Sequence, residues 1–399
     1  MNNDWNSVGK NGERQEGPGE YAARTSEDRL EKTRKKKNKK AKYILTLFAY
    51  LLVLIVIMYV GAGFYEWING KIDASQKETE EVINMLQREE YQESYTYTEM
   101  MEKIQAVEAQ ADARVEQAAK DKEEEILGGI KANLTAGDTT VEALRPFYPE
   151  ELVLASSGKI HFVPINNELK MNTLKQENLQ ILESGEYQYV REGQLISHKG
   201  IDVSKHQGEI DWDKVAADGV EFAFIRVGLR GYGTGKLVED EYFDKNLKGA
   251  SDAGIKVGVY IYTQAVTEDE ILEEAELVLK KIEPYHIDGP VVIDVEKVAG
   301  AKARMNELTV EERTNLVLLF CQTIENAGYK PMIYHNMEMG VLMLDLETFE
   351  NYDKWLASYS DTLYYPYEYK IWQYSDEGTV DGIKGNVDMN ISFSRFWEE

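Results

Sequence analysis

The chain is short of the residues that build several familiar active sites. Its 399 residues include one cysteine, Cys321, which excludes an internal disulfide framework and any cysteine-rich metal centre. The five histidines form no H-E-x-x-H pair, which argues against a zinc hydrolase. No G-x-S-x-G occurs, which weakens a serine hydrolase. Positive charge is also scarce: 45 Lys and Arg face 71 Asp and Glu, a formal net charge of −26. Such a chain repels phosphate backbones, so nucleic acid is a poor partner. The glycine-rich run Gly228-Leu229-Arg230-Gly231-Tyr232-Gly233-Thr234-Gly235 lacks a terminal Gly-Lys-Ser/Thr and the dinucleotide spacing, and reads as a rim loop. Neither a cofactor nor a metal is expected.

What is present begins with a basic N-terminal tail, residues 1–42, centred on Arg34-Lys35-Lys36-Lys37 and Lys39-Lys40. It leads directly into 43–65, an uncharged apolar stretch about as long as the ~20 residues a helix needs to cross a bilayer. Basic residues before it and Glu66, Asp73 and Glu78 after it place the N-terminus in the cytoplasm and the remainder outside. The apolar run is too long for a cleaved leader and offers only Gly61-Ala62-Gly63 as small residues, so an uncleaved signal-anchor in the plasma membrane is expected. Residues 66–140 are charged and helix-favouring, with Met101, Ile104, Ala111 and Val115 on a thin apolar stripe and Gly128-Gly129 as an expected break. They read as a helical stalk whose stripe allows a dimer without requiring one. Residues 141–199 form an accessory region or linker, with short strands at 152–154 and 159–164 and a short helix at 174–182.

From Gly200 strand and helix signals alternate, which points to an α/β domain with a mostly parallel sheet. Expected strands are 200–206, 221–228, 256–265, 290–297, 331–336, 354–360, 369–375 and 387–393. Expected helices are 212–217, 242–253, 268–282, 310–327 and 337–344. About eight strands and five helices suggest an irregular TIM-like (β/α) barrel over 200–399.

Two carboxylates, Asp294 and Glu296, interrupt the apolar run Pro290-Val291-Val292-Ile293-Asp294-Val295-Glu296. At i and i+2 of a strand they share a face, with Ile293 and Val295 on the other. A frayed strand end bathed in water is the plain alternative. Asp202, in the first strand, and Asp388, early in the last, are expected at the same barrel mouth, where like charges raise one another's pKa. Structure alone rarely wants that arrangement, whereas acid–base catalysis does. Tyr262, Tyr334 and Trp372 are the preferred aromatic contacts for a ligand at this mouth, with Gln264 and Gln373 as hydrogen-bonding partners. His206, close to the mouth, is expected to pack or hydrogen-bond locally. Cys321 is expected to be a buried thiol.

Gly200-Ile201-Asp202-Val203-Ser204, Ile293-Asp294-Val295-Glu296, and Trp372-Gln373-Tyr374-Ser375 followed by Gly378 through Asn390 together resemble the glycoside hydrolase family 25 lysozymes, the Chalaropsis-type N-acetylmuramidases. The resemblance covers about 200–399 and implies hydrolysis of the β-1,4 bond between N-acetylmuramic acid and N-acetylglucosamine in peptidoglycan. It implies Glu296 as general acid and Asp294 as the second carboxylate, either attacking the anomeric carbon or orienting the substrate's 2-acetamido group. Asp202 and Asp388 would line the same subsite. The competing readings are a non-catalytic scaffold that binds wall glycan and a hydrolase of another glycan.

Overall fold

The computed structural model describes residues 96–300 and 302–398, with Lys77, Glu81 and Asn84 as isolated helical positions. The basic tail, the apolar stretch 43–65 and most of the stalk's first half lie outside the described residues. Among those that are described, no helix is long and apolar enough to cross a membrane. The chain divides into two compact units, Met1–Gly128 and Gly129–Glu399.

Helix α1 spans Tyr97–Ala136. Its start is capped reciprocally: Thr96 N–H donates to the Glu99 carboxylate at 2.8 Å and Glu99 N–H to the Thr96 hydroxyl at 3.4 Å. Ile104 and Ala111, seven residues apart on one face, are buried. The expected break at Gly128-Gly129 does not occur. A helical glycine costs only about 1 kcal/mol, and strong helix formers flank the pair. At Gly129 the missing side chain is used for packing, since a Cβ there would lie 2.7 Å from the Phe147 ring.

Helix α2 (Thr140–Leu144) follows, then the hairpin β1 (Glu151–Ser156) and β2 (Lys159–Pro164). A second small sheet joins β3 (Leu179–Ile181), β4 (Tyr187–Arg191) and β5 (Gln194–Leu195). The helix expected over 174–182 is therefore a single 3₁₀ turn, Gln176–Asn178, followed by a strand. Tertiary contacts override local propensity here. The Tyr189 hydroxyl accepts from Lys175 N–H at 2.8 Å and from Asn178 Nδ2 at 3.2 Å, holding the segment open.

The remaining strands close a barrel. They are β6 (His198–Val203), β7 (Phe222–Arg230) with its short antiparallel partner β8 (Leu237–Glu239), β9 (Lys256–Tyr262), β10 (Val291–Asp294), β11 (Pro331–Asn336), β12 (Asp353–Ala357), β13 (Ile371–Gly378) and β14 (Val387–Ser392). The order β6-β7-β9-β10-β11-β12-β13-β14 returns to β6, so eight strands form a closed ring. Neighbours are parallel except β14, which is antiparallel to both β13 and β6. Helices α3 (Trp212–Ala217), α4 (Phe243–Asp252), α5 (Glu268–Ile282) and α6 (Val310–Asn326) cover the early strands. The helix expected at 337–344 is a π-helical turn over Met339–Met343.

Strand alternation sorts the core. Ile201, Val257, Val259, Ile293 and Ile333 face outward into the shell packed by the helices. Phe222, Phe224, Tyr260, Val292, Met332, Tyr334, Trp355 and Ile371 fill the interior, and Phe396 packs against Phe222 at 5.2 Å between ring centroids. The Phe222 ring needs the space left at Gly200, where a Cβ would meet its Cζ at 2.2 Å. Overpacking of this kind costs about 1–3 kcal/mol. Gly200→Ala should therefore lower the melting temperature of the full chain by a few degrees; an unchanged melting temperature would show that the Phe222 ring moves aside freely.

Candidate active site

The C-terminal ends of the parallel strands surround a cavity of about 530 Å³. Asp202 reaches it from the end of β6 and Asp294 from the last residue of β10. The strand expected over 290–297 stops at Asp294, so Glu296 lies on the following loop. Val295 N–H still donates to the Tyr334 carbonyl at 3.0 Å, which keeps that loop in line with β11. Asp388 arrives through the reversed direction of β14. Because this strand starts where the others end, Asp388 sits opposite Asp202 in the register. All four acids line the one cavity.

A hydrogen-bond chain fixes the floor. The hydroxyls of Tyr334 and Tyr359 donate to Gln373 Oε1 at 2.7 and 2.9 Å. Gln373 Nε2 donates to Asp202 Oδ2 at 2.8 Å. From the other side, Trp355 Nε1 donates to Asn390 Oδ1, and Asn390 Nδ2 to the same Asp202 oxygen, both at 2.8 Å. Gln373 is thus oriented by two hydroxyls and Asn390 by one indole N–H, and each presents its own N–H to Asp202. Arg226, inward-facing on β7, also lines the cavity and is held by Asp240 at 2.9 Å through Nε and 2.8 Å through Nη2.

These surroundings divide the acids. Burial raises Asp202 to about 6, while the Asn390 and Gln373 amides and the Arg226 charge pull the other way. Asp388, pushed up to about 9 by burial and then by the charge of Asp202, is the better proton holder of that pair. Burial also lifts Asp294 well above the carboxylate range, with the charges of Glu296 and Asp202 adding to it and Arg226 opposing. Glu296 is raised by burial, against the Tyr334 hydroxyl, which favours its charged form. The cavity therefore holds carboxyls that keep protons well above ordinary acidic pH.

Of the other expected contacts, Tyr262, Tyr334 and Gln373 line the cavity. Trp372 does not. It alternates to the outside of β13, where its Nε1 donates to the Ser358 carbonyl at 2.8 Å and its ring meets Tyr187 edge-on at 5.4 Å. Trp355, one strand earlier, occupies the inward position instead. Gln264 is fully buried behind the cavity, donating to the Tyr262 hydroxyl and the Glu296 carbonyl at 3.3 Å each. It supports the wall without forming it. His206 is exposed on the cavity rim. Gly231 and Tyr232 of the glycine-rich loop line the rim, so that loop borders the cavity. Cys321 is buried in α6, and burial pushes its thiol up to about 12. Arg226 and Asn390 were not singled out as site residues from sequence, and Trp355 and Tyr359 were candidate aromatics on the closing strands outside the preferred three. Arg226 left a signal: a lone cation at the inward period of Phe222-Ala223-Phe224-Ile225-Arg226.

A closed barrel with several raised carboxyls and aromatic rings at its mouth is an arrangement suited to proton transfer. Residues 201–383 match the model of the glycosyl hydrolases family 25. The chain is 31% identical over 204 residues to the uncharacterized protein YegX of Escherichia coli O157:H7, covering 48% of this chain and 68% of that protein. It is 28% identical over 198 residues to the autolytic lysozyme of Clostridium acetobutylicum, covering 48% of this chain and 55% of that one. Among solved structures, a family 25 glycosyl hydrolase from Bacillus anthracis is similar at 25% identity and a TM-score of 0.42, covering 50% of this chain and 89% of that one. The chain belongs to glycosyl hydrolase family 25 and is a glycoside hydrolase.

The raised carboxyls set a sign for stability. A carboxyl whose pKa is higher folded than unfolded stabilises the fold below its unfolded value and loses that contribution as pH rises through the folded one. For Asp388 the window runs from its ordinary 3.8 to about 9. Asp388→Asn should therefore melt at progressively higher temperature than wild type as pH rises across that window. A difference that does not depend on pH would mean that Asp388 titrates normally.

Proposed function

We propose that this chain cleaves peptidoglycan at the β-1,4 bond between N-acetylmuramic acid and N-acetylglucosamine. The observation that carries the reading is the placement of Asp294 and Glu296 in one cavity with both pKa values raised by burial. Glu296 is the general acid: its proton goes to the glycosidic oxygen as the bond to the anomeric carbon breaks. In the reacting state the proton shared by this close pair sits on Glu296, which leaves Asp294 ionised as the second carboxylate, acting on the anomeric carbon directly or by orienting the 2-acetamido group that attacks in its place. Asp202 and Asp388 share the same subsite and set its charge. Tyr262, Tyr334 and Gln373 contact the sugar, with Tyr232 and Tyr359 as exposed platforms at the rim. The name of the autolytic lysozyme relative and the resemblance of the three motifs favour peptidoglycan over other glycans.

We further propose that the enzyme works outside the cell, tethered by 43–65 and carried towards the wall by the stalk. Tethering raises the local concentration at the inner wall face. It offsets the mutual repulsion of an acidic protein and an anionic wall.

Detergent-solubilised full chain should release reducing ends from purified peptidoglycan. Loss of a general acid removes roughly 10²–10⁴-fold in rate, so Glu296→Gln should fall by that factor with a melting temperature no lower than wild type. Binding of glycan strands by wild type without release would overturn the hydrolytic reading. Orientation has its own check: protease added outside cells with an opened wall should remove the barrel, and survival of the intact chain would contradict the tether as drawn.

A further inference from the structure

The region before the family match touches the catalytic loop at one point. Hairpin β1–β2 turns through Ser157 and Gly158, both with positive φ, +50° and +73°, as a two-residue type I′ turn requires. Local rules favour Asn or Gly at both places, and a serine at the first is costly. Its hydroxyl is used: Lys297 Nζ donates to Ser157 Oγ at 2.8 Å and to Ser156 Oγ at 3.1 Å. Lys297 also pairs with Glu338, at the start of the π-helical turn after β11, and Ser156 donates to the same carboxylate. Lys297 directly follows Glu296, beyond the end of β10, in a loop whose backbone is otherwise held by Gln264 at the Glu296 carbonyl and by Asn306 at Val298, so Lys297 supplies its tie to the β1–β2 turn.

The same region grips the opposite side of the barrel mouth. Gln176 Nε2 donates to the Asp361 carbonyl at 2.9 Å, and Leu363 N–H donates to Gln176 Oε1 at 2.8 Å. Val153 N–H donates to the Tyr364 hydroxyl at 2.7 Å. That segment begins just after Tyr359, which lines the cavity. Both loops flanking the carboxyls are thus pinned by residues 151–176, outside the span that matches the family.

We infer that Lys297 is a positioning residue for Glu296, held by the β1–β2 turn and Glu338, and that residues 151–176 form part of the catalytic unit. The inference deepens the reading of Glu296 as the acid. The turn fixes the loop, the loop aims the carboxyl, and a misplacement of about 1 Å at a reacting group costs up to 10²-fold in rate. Ser156→Ala/Ser157→Ala removes the hydroxyls and leaves the Lys297 charge in place, which separates positioning from a direct charge effect.

The test uses the full chain with two readouts. In the double serine variant, amide hydrogen exchange over 295–300 should quicken by about tenfold while the rest of the barrel is unchanged. Its kcat on peptidoglycan should fall by about tenfold with KM within about twofold, Lys297→Met should behave alike, and Lys297→Arg should recover most of the rate. Unchanged exchange, or quickened exchange with unchanged kcat, overturns the inference. Quickened exchange in a chain whose wild type releases no reducing ends would sink the proposed reaction and leave the turn's hold on the loop standing.

Discussion

Four carboxyl groups facing one partly enclosed cavity is the constraint on which the rest of the molecule depends. An unpaired carboxylate is expensive away from water, and four together repel as well. The molecule meets this cost in two ways. Asp202 takes two amide N–H groups, each aimed by an aromatic side chain, and Arg226 supplies positive charge fixed by Asp240. The others are driven towards the protonated state, with Asp388 and Asp294 shifted furthest from their ordinary value. A site that stores protons near neutral pH follows from where the acids sit, with no metal ligand set among the described residues.

The barrel delivers those acids through strand alternation and one reversal. Inward positions on the early strands carry large apolar rings at the bottom and polar groups at the top. The reversed β14 brings an acid from its beginning to the mouth where the other strands finish. Phe396 packs under the interior rings, so the carboxyl end is the face left open. The accessory hairpins then hold the loops that leave this face.

Much of this was legible in the chain, for identifiable reasons. Buried parallel strands are continuous apolar runs, so Val291 to Ile293 and Pro331 to His335 announced themselves, and an acid within such a run stood out. Helices α3 and α5 have N-caps, Asp211 and Thr267, that mark their starts. What was not legible depended on partners distant in sequence. Trp372 and Trp355 are both aromatic residues in apolar strands, and only the register of β12 against β13 tells which faces inward. The 174–182 segment has helical residues but is held open by Tyr189. Gln264 resembles a ligand contact until the Glu296 carbonyl is seen to claim it. Gly129 breaks nothing because Phe147 needs its space.

The central claim is that the buried carboxyls of the cavity hold protons above their ordinary range, Asp388 through neutral pH, and infrared absorption of the carboxyl groups tests it most directly. In the full chain at pH 7 a protonated-carboxyl band should persist, weaken in Asp388→Asn, and for the Asp388 component disappear as pH passes about 9. Absence of any protonated carboxyl above about pH 5, where ordinary acids are ionised, would contradict the account.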